Sequence, residues 1–174
     1  MLRAVPLAAA LAVAGCVLPP AVAPGALNGR LSVQVDAHAD RAAQSISASF
    51  ELQGSAERGE LRLSTTLGTT LAAARWSPGQ AWLVTPQGER RFEDLEALSI
   101  ATFGEPLPLR ALPDWLRGRP WPGAVAVVAA PPDKPGFEQL GWAIDLARFD
   151  AGQLLAQRAG PPRVRLRAQL EDTP

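Results

Sequence analysis

The chain has 174 residues, 47% of them hydrophobic, and balances 17 Lys+Arg against 17 Asp+Glu. That neutral balance excludes a broadly basic nucleic-acid surface and gives no sign of an acidic ligand. A single cysteine, Cys16, excludes an intramolecular disulfide framework and a Cys-rich metal site.

Arg3 and the apolar run of residues 4–14 lead into Gly15-Cys16. A cationic start, a short apolar stretch and small residues at a cut site make an export signal. Eleven helical residues reach only ~17 Å against a hydrocarbon core of ~30 Å, so the run does not span a bilayer. Val13-Ala14-Gly15-Cys16 resembles the lipobox of bacterial lipoproteins. The resemblance implies that residues 1–15 are a signal peptide and that cleavage leaves Cys16 as the lipidated first residue. The alternative is a small buried thiol inside an uncleaved apolar segment. Several acyl chains, at about 0.8 kcal/mol per buried CH₂, anchor firmly where one chain does not. Val17, not Asp, follows the cysteine, which among such lipoproteins implies the outer membrane, at its periplasmic face. Residues 16–28 carry three prolines and no periodicity, and read as a tether. Residues 29–174 have the size of one domain.

Alternation then dominates. Leu31, Val33 and Val35 oppose Arg30, Ser32 and Gln34, and Ile46, Ala48, Phe50 and Leu52 oppose Ser45, Ser47, Ser49 and Glu51. Leu61 and Leu63 repeat the pattern, as do Trp142, Ile144 and Leu146, and finally Val164, Leu166, Ala168 and Leu170. Period two of this kind means antiparallel strands with one apolar and one solvated face. Short polar or Gly/Pro breaks at 54–59, 77–79, 86–88 and 159–162 are hairpin-length, so sequential strands should pair. About eight to eleven strands are expected. Helical material is sparse: residues 92–103 suit one helix and 109–117 a second, stopped by Gly118 and Pro120. Leu109, Leu112, Trp115 and Leu116 share one side of the second.

An apolar sheet face cannot stay in water at ~25 cal/mol per Å². The economical solution is a mainly β fold: a strongly curved antiparallel sheet, wrapped into a partial or complete barrel, with the short helices closing its mouth. From the residues alone, such an interior is either packed solid or open to a small apolar ligand.

Three stretches, in this order behind a lipobox, resemble the LolB family of outer-membrane lipoprotein receptors. They are residues 61–71 with Leu67-Gly68, residues 104–109 followed by Leu112, Trp115-Leu116, Gly118 and Pro120, and Trp142 with Ile144 followed by residues 162–170. The resemblance covers residues 29–170. It implies a half-open barrel with a lid over an apolar cavity, and it implies transfer of other lipoproteins from the carrier LolA. The cargo's acyl chains are held and then passed into the inner leaflet of the outer membrane. It implies that Leu67, beside Gly68 on a protruding loop, contacts the membrane; a leucine folded back over the hairpin is the bland alternative. Ile46, Phe50, Leu61, Leu63, Trp82, Trp142 and Ile144 are expected to line the interior, with Leu112, Trp115 and Leu116 on the lid, unless each is simply core. Thr65-Thr66 stand where the family often has Asn-Pro, so a looser loop is expected, and the tether is too short for the helix many members carry there.

No nucleotide or other cofactor is expected, since no phosphate-loop motif is present. Neither a GxSxG nor an HExxH motif occurs, and the lone His38, between Asp36 and Asp40, reads as a solvated loop. A non-enzymatic, monomeric protein without nucleic-acid partners follows. The rival is a structural or assembly lipoprotein that binds an envelope protein and handles no acyl chains.

Overall fold

The computed structural model describes residues 25–129 and 134–171; the signal peptide and Cys16 lie outside the described residues. The chain first makes a six-stranded meander: β1 (Leu27–Val35), β2 (Gln44–Gly54), β3 (Gly59–Ser64), β4 (Thr70–Ser77), β5 (Gln80–Thr85) and β6 (Gly88–Phe92). Two helices follow, α1 (Leu95–Phe103) and α2 (Leu112–Trp115). Five strands complete it: β7 (Ala126–Val128), β8 (Gly136–Gln139), β9 (Trp142–Asp145), β10 (Gln153–Arg158) and β11 (Val164–Leu170).

All eleven strands share one antiparallel sheet in the order β6-β5-β4-β3-β2-β1-β11-β10-β9-β8-β7. Sequential hairpins account for every pairing except β1 with β11, which joins the first strand to the last at the middle of the sheet. The edges β6 and β7 do not pair with each other, so the curled sheet stays open.

Alternation decides the faces. Leu31, Val33, Phe50, Leu52, Leu61, Ala74, Trp76, Ile144, Leu154, Leu166 and Ala168 are buried on one face and share a single core. The opposite face carries charge, and where acids and bases stand opposite they pair. Arg62 bridges Glu60 at 2.6 Å and Glu51 at 3.4 Å, and Glu60 also receives Arg75 at 3.3 Å. Each such exposed pair is worth at most about 1 kcal/mol, so the apolar face carries the fold.

Three sequence expectations shift. The first helix starts at Leu95 rather than residue 92, because Phe92 closes β6 and Asp94 caps the helix, its Oδ1 accepting from Ala97 N at 2.8 Å. Gly104, left-handed at φ 73°, ends it and donates its N–H to Ile100 O at 2.8 Å. The second helix is a single turn, with irregular turns on both sides of it. Strand β1 begins at Leu27, so it claims the last two residues expected in the tether.

Leu52 is 1% exposed while Leu67 is 92% exposed. Replacing Leu52 by Ala should cost about 2–5 kcal/mol in urea unfolding, whereas Leu67→Ala should change stability by under about 0.5 kcal/mol. Equal effects would contradict this division of the apolar residues.

Candidate functional site

The concave face gathers most of the residues that the sequence singled out. Phe50, Leu61, Trp142, Ile144, Leu112, Trp115 and Leu116 belong to one buried cluster, and Ile46 and Leu63 pack half-buried against it. Trp82 is the exception and a correction. In β5, Ala81 and Leu83 join the core, so Trp82 between them points outward, in register with Arg75 on β4 and Arg91 on β6. The outward side is where period two puts it, whatever its size.

The lid sits in the hollow rather than over it. Leu112, Trp115 and Leu116 are fully buried, Trp115 at 0% exposure. The Trp115 ring meets Phe137 of β8 edge-on at 6.4 Å and Trp142 of β9 at 6.1 Å. In this arrangement α2 fills the concavity with the chain's own aromatics. Free space of about 460 Å³ remains at its margin, bounded by Leu95, Leu107, Leu109, Trp121 and Trp142 with Asp94 and Arg110 among the polar groups. That volume is within the range of small-ligand pockets.

Polar groups hold α2 in place. Gln139, on β8 and 2% exposed, is the hub. Its Oε1 accepts from Trp115 Nε1 at 2.8 Å and from Trp121 N at 2.9 Å. Its Nε2 donates to the carbonyls of Trp121 and Ala124, both at 2.8 Å. A single amide thus satisfies the lid tryptophan and the backbone that leaves the lid. Beside it, the buried Ser99 of α1 accepts from Leu107 N and donates to Glu96 O, both at 2.9 Å. Arg158 of β10 pairs with Glu105 at 2.8 Å and lies over the Trp142 ring, and Arg41 donates to the carbonyl of Gly104.

Leu67 stands apart on the β3–β4 turn. Gly68 N donates to Thr65 O, Thr65 N to Thr69 O, both at 2.9 Å, and Thr69 N to the Thr65 hydroxyl at 3.1 Å. The Thr65 side chain therefore supplies order where a looser loop was expected. Gly68 takes φ 84°, a conformation glycine accepts without a Cβ penalty, and the turn leaves Leu67 in solvent. The registers place this turn at the end of the sheet opposite Leu27, since Leu27 faces Leu52, Leu52 faces Leu61, and the chain runs on past Ser64.

Sequence reasoning missed Gln139 and Phe137, because β8 is four residues long and its alternation is too brief to register. His38 lies in an exposed turn closed on Arg41 by backbone hydrogen bonds. Among the described residues, no cluster of His, Cys, Asp and Glu could hold a metal. None of the helices is long and apolar enough to cross a membrane.

Comparison with known proteins fits this architecture. A family model described as outer membrane lipoprotein LolB matches residues 26–172. The outer-membrane lipoprotein LolB of Bordetella pertussis is 36% identical over 163 residues, covering 86% of this chain and 81% of that protein. Those of Thiobacillus denitrificans and Chromobacterium violaceum are 31% and 32% identical, over 77% and 72% of this chain and 73% and 65% of their own lengths.

Replacing Gln139 by Leu removes the partner of the Trp115 indole, the Trp121 amide and the Ala124 carbonyl, and leaves the Trp121 carbonyl only the long bond from Ala124 N at 3.5 Å. Each unsatisfied group costs about 1–3 kcal/mol, so residues 112–124 should exchange amide hydrogens markedly faster while β1, β2 and β11 change little. Unchanged exchange in the lid would show that Gln139 does not hold it.

Proposed function

The chain belongs to the LolB family, and we propose that it accepts lipoproteins from the periplasmic carrier LolA by their acyl chains and releases them into the inner leaflet of the outer membrane. It is not an enzyme, and no bond of the cargo has to change. The observation that carries the reading is the filling of the apolar hollow by a one-turn helix, not by strand residues. A segment tied to the sheet through a few polar groups can leave, and what leaves is replaceable by alkyl chains.

The physics of transfer sets the requirement. A triacylated cargo holds tens of CH₂ groups at about 0.8 kcal/mol each and cannot cross water exposed. Carrier and receptor must therefore open onto each other. Displacing α2 uncovers Ile46, Phe50, Leu61, Leu63, Trp142 and Ile144, and the incoming chains cover them again. Leu112, Trp115 and Leu116 swing out with the helix. The apolar area lost and gained is similar, so the step runs near equilibrium and the bilayer is the final sink. No nucleotide enters, and a monomer suffices, because one chain supplies both hollow and lid.

Anchorage and insertion fit one geometry. Residues 1–15 serve as the signal peptide, residues 16–26 link the anchor to the fold, and the receptor domain begins with β1 at Leu27. From Cys16 to Ala26 the chain reaches at most ~36 Å. Along a nine-residue strand the sheet spans ~30 Å. A tether laid beside the sheet thus lets the lipid on Cys16 and the side chain of Leu67 reach the same bilayer surface, although they depart from opposite ends. Leu67 then enters the lipid and opens a path for the cargo.

Two variants test this reading. Leu67→Glu should take lipidated cargo from LolA normally and fail to deliver it to vesicles, and Cys16→Ala should leave the protein off the outer membrane. Equal capture of lipidated and unlipidated cargo in a pull-down would instead favour an assembly lipoprotein that ignores acyl chains.

A further inference from the structure

The outward face of the sheet has a hollow of its own. A cleft of about 520 Å³, open to solvent, lies over β1, β10 and β11 beneath the turn that follows β9. Arg30, Arg148 and Arg167 line it, with Lys134 at its rim and Asp145 as its one acid. Arg30 faces Gln169, and Ser32 faces Arg167 across the β1–β11 pair. The two arginines are therefore diagonal neighbours on one face, close enough for long side chains to converge. Ser32 and Ser47, opposite each other on β1 and β2, add two hydroxyls to the cleft.

What sets these arginines apart is that they line one cleft; among the described residues they share the lack of an acidic partner with others such as Arg91 and Arg165. Arg62 and Arg75, on the same face, are engaged by Glu51 and Glu60. Among the described residues, Arg30, Arg148 and Arg167 form no salt bridge. Asp145, whose Oδ1 accepts from Ala147 N at 2.8 Å, forms no salt bridge with them. Three guanidinium groups without acidic partners and Lys134 thus line one cleft. Guanidinium groups with hydroxyls beside them suit a tetrahedral oxyanion that accepts from several donors.

We propose that this cleft binds the phosphate of an anionic phospholipid headgroup. A free phosphate ion offers the same chemistry, but position favours the lipid. Arg30 follows the start of β1 by three residues and the proposed anchor Cys16 by fourteen. That nearness to the membrane rests on Cys16 being the anchor, as proposed above, whereas the oxyanion chemistry is independent of it. Arg30 lies in the same row as Ser49 and Ser64, from which the Leu67 turn departs, so a headgroup held there leaves the hollow on the opposite face free for the carrier.

The test uses residues 16–174 carrying Cys16→Ala, made without residues 1–15 so that neither acylation nor the apolar leader dominates, in co-sedimentation with vesicles of phosphatidylcholine alone or with phosphatidylglycerol. The chain should prefer the vesicles with phosphatidylglycerol. Removing each cationic side chain near an anionic surface lowers affinity by about fivefold, so Arg30→Gln with Arg167→Gln should lose about 25-fold of that preference. Arg148→Gln, on a turn outside the sheet, should lose about fivefold without touching a strand. No preference, or a preference that all three arginine variants keep, overturns the site. Calorimetric binding of inorganic phosphate, abolished in the double variant and without vesicle preference, overturns the headgroup assignment in favour of free phosphate. Delivery of cargo to phosphatidylcholine vesicles reads the receptor function separately. Lost preference with intact delivery confines the change to this cleft.

Discussion

A sheet whose side chains alternate between apolar and polar has to cover one whole face with something other than water. Eleven strands do this here by curling around their own apolar side, and the residual opening is closed by a single helical turn. That choice has a consequence which a second sheet would not have. Side chains from a facing sheet are held by backbone ladders along their whole length, so they cannot withdraw one at a time. Leu112, Trp115 and Leu116 depend instead on a short segment whose own ladder holds almost nothing. The cover is as apolar as a core and as detachable as a loop.

Detachment is governed by a small set of polar contacts. Gln139 satisfies four partners at once, and Ser99 and Arg158 hold the segments that lead into α2. Net hydrogen bonds contribute about 1 kcal/mol each, far less than the burial of three large side chains, so they set position more than affinity. Under the proposed function, acyl chains compete for the apolar part of the balance, and the polar contacts fix where the lid returns. The same sheet separates its two jobs by face: burial within, and charge outside, where the unpaired arginines of β1 and β11 contrast with the paired ones of β3 and β4.

Much of this was legible in the residues because β1, β2, β3 and β11 are long enough to repeat their period and because Gly and Pro mark the breaks. Asp94 followed by an apolar run, and Gly104 after it, bound α1 by capping chemistry, although Phe92 before them made the helix look longer. Trp82 faces outward against expectation because residues 82–84 are apolar without interruption and carry no alternation, so only the packing of Ala81 and Leu83 in the core reveals which way each points. Gln139 could not have been found from sequence. A glutamine in a short polar stretch becomes a lid fastener only when Trp115, Trp121 and Ala124, distant along the chain, converge on it. Thr65 is similar on a smaller scale, since its hydroxyl becomes a turn anchor through the backbone of Thr69.

The central claim is that alkyl chains take the place α2 occupies against the concave face. Photo-crosslinking from single sites during handover from LolA tests it most directly. A crosslinking residue at Phe50, on the concave face, should capture the cargo's acyl chains, and one at Ser49, on the outward face of the same strand, should not. Capture at Ser49 as readily as at Phe50, or at Phe50 with unlipidated cargo, would contradict the account.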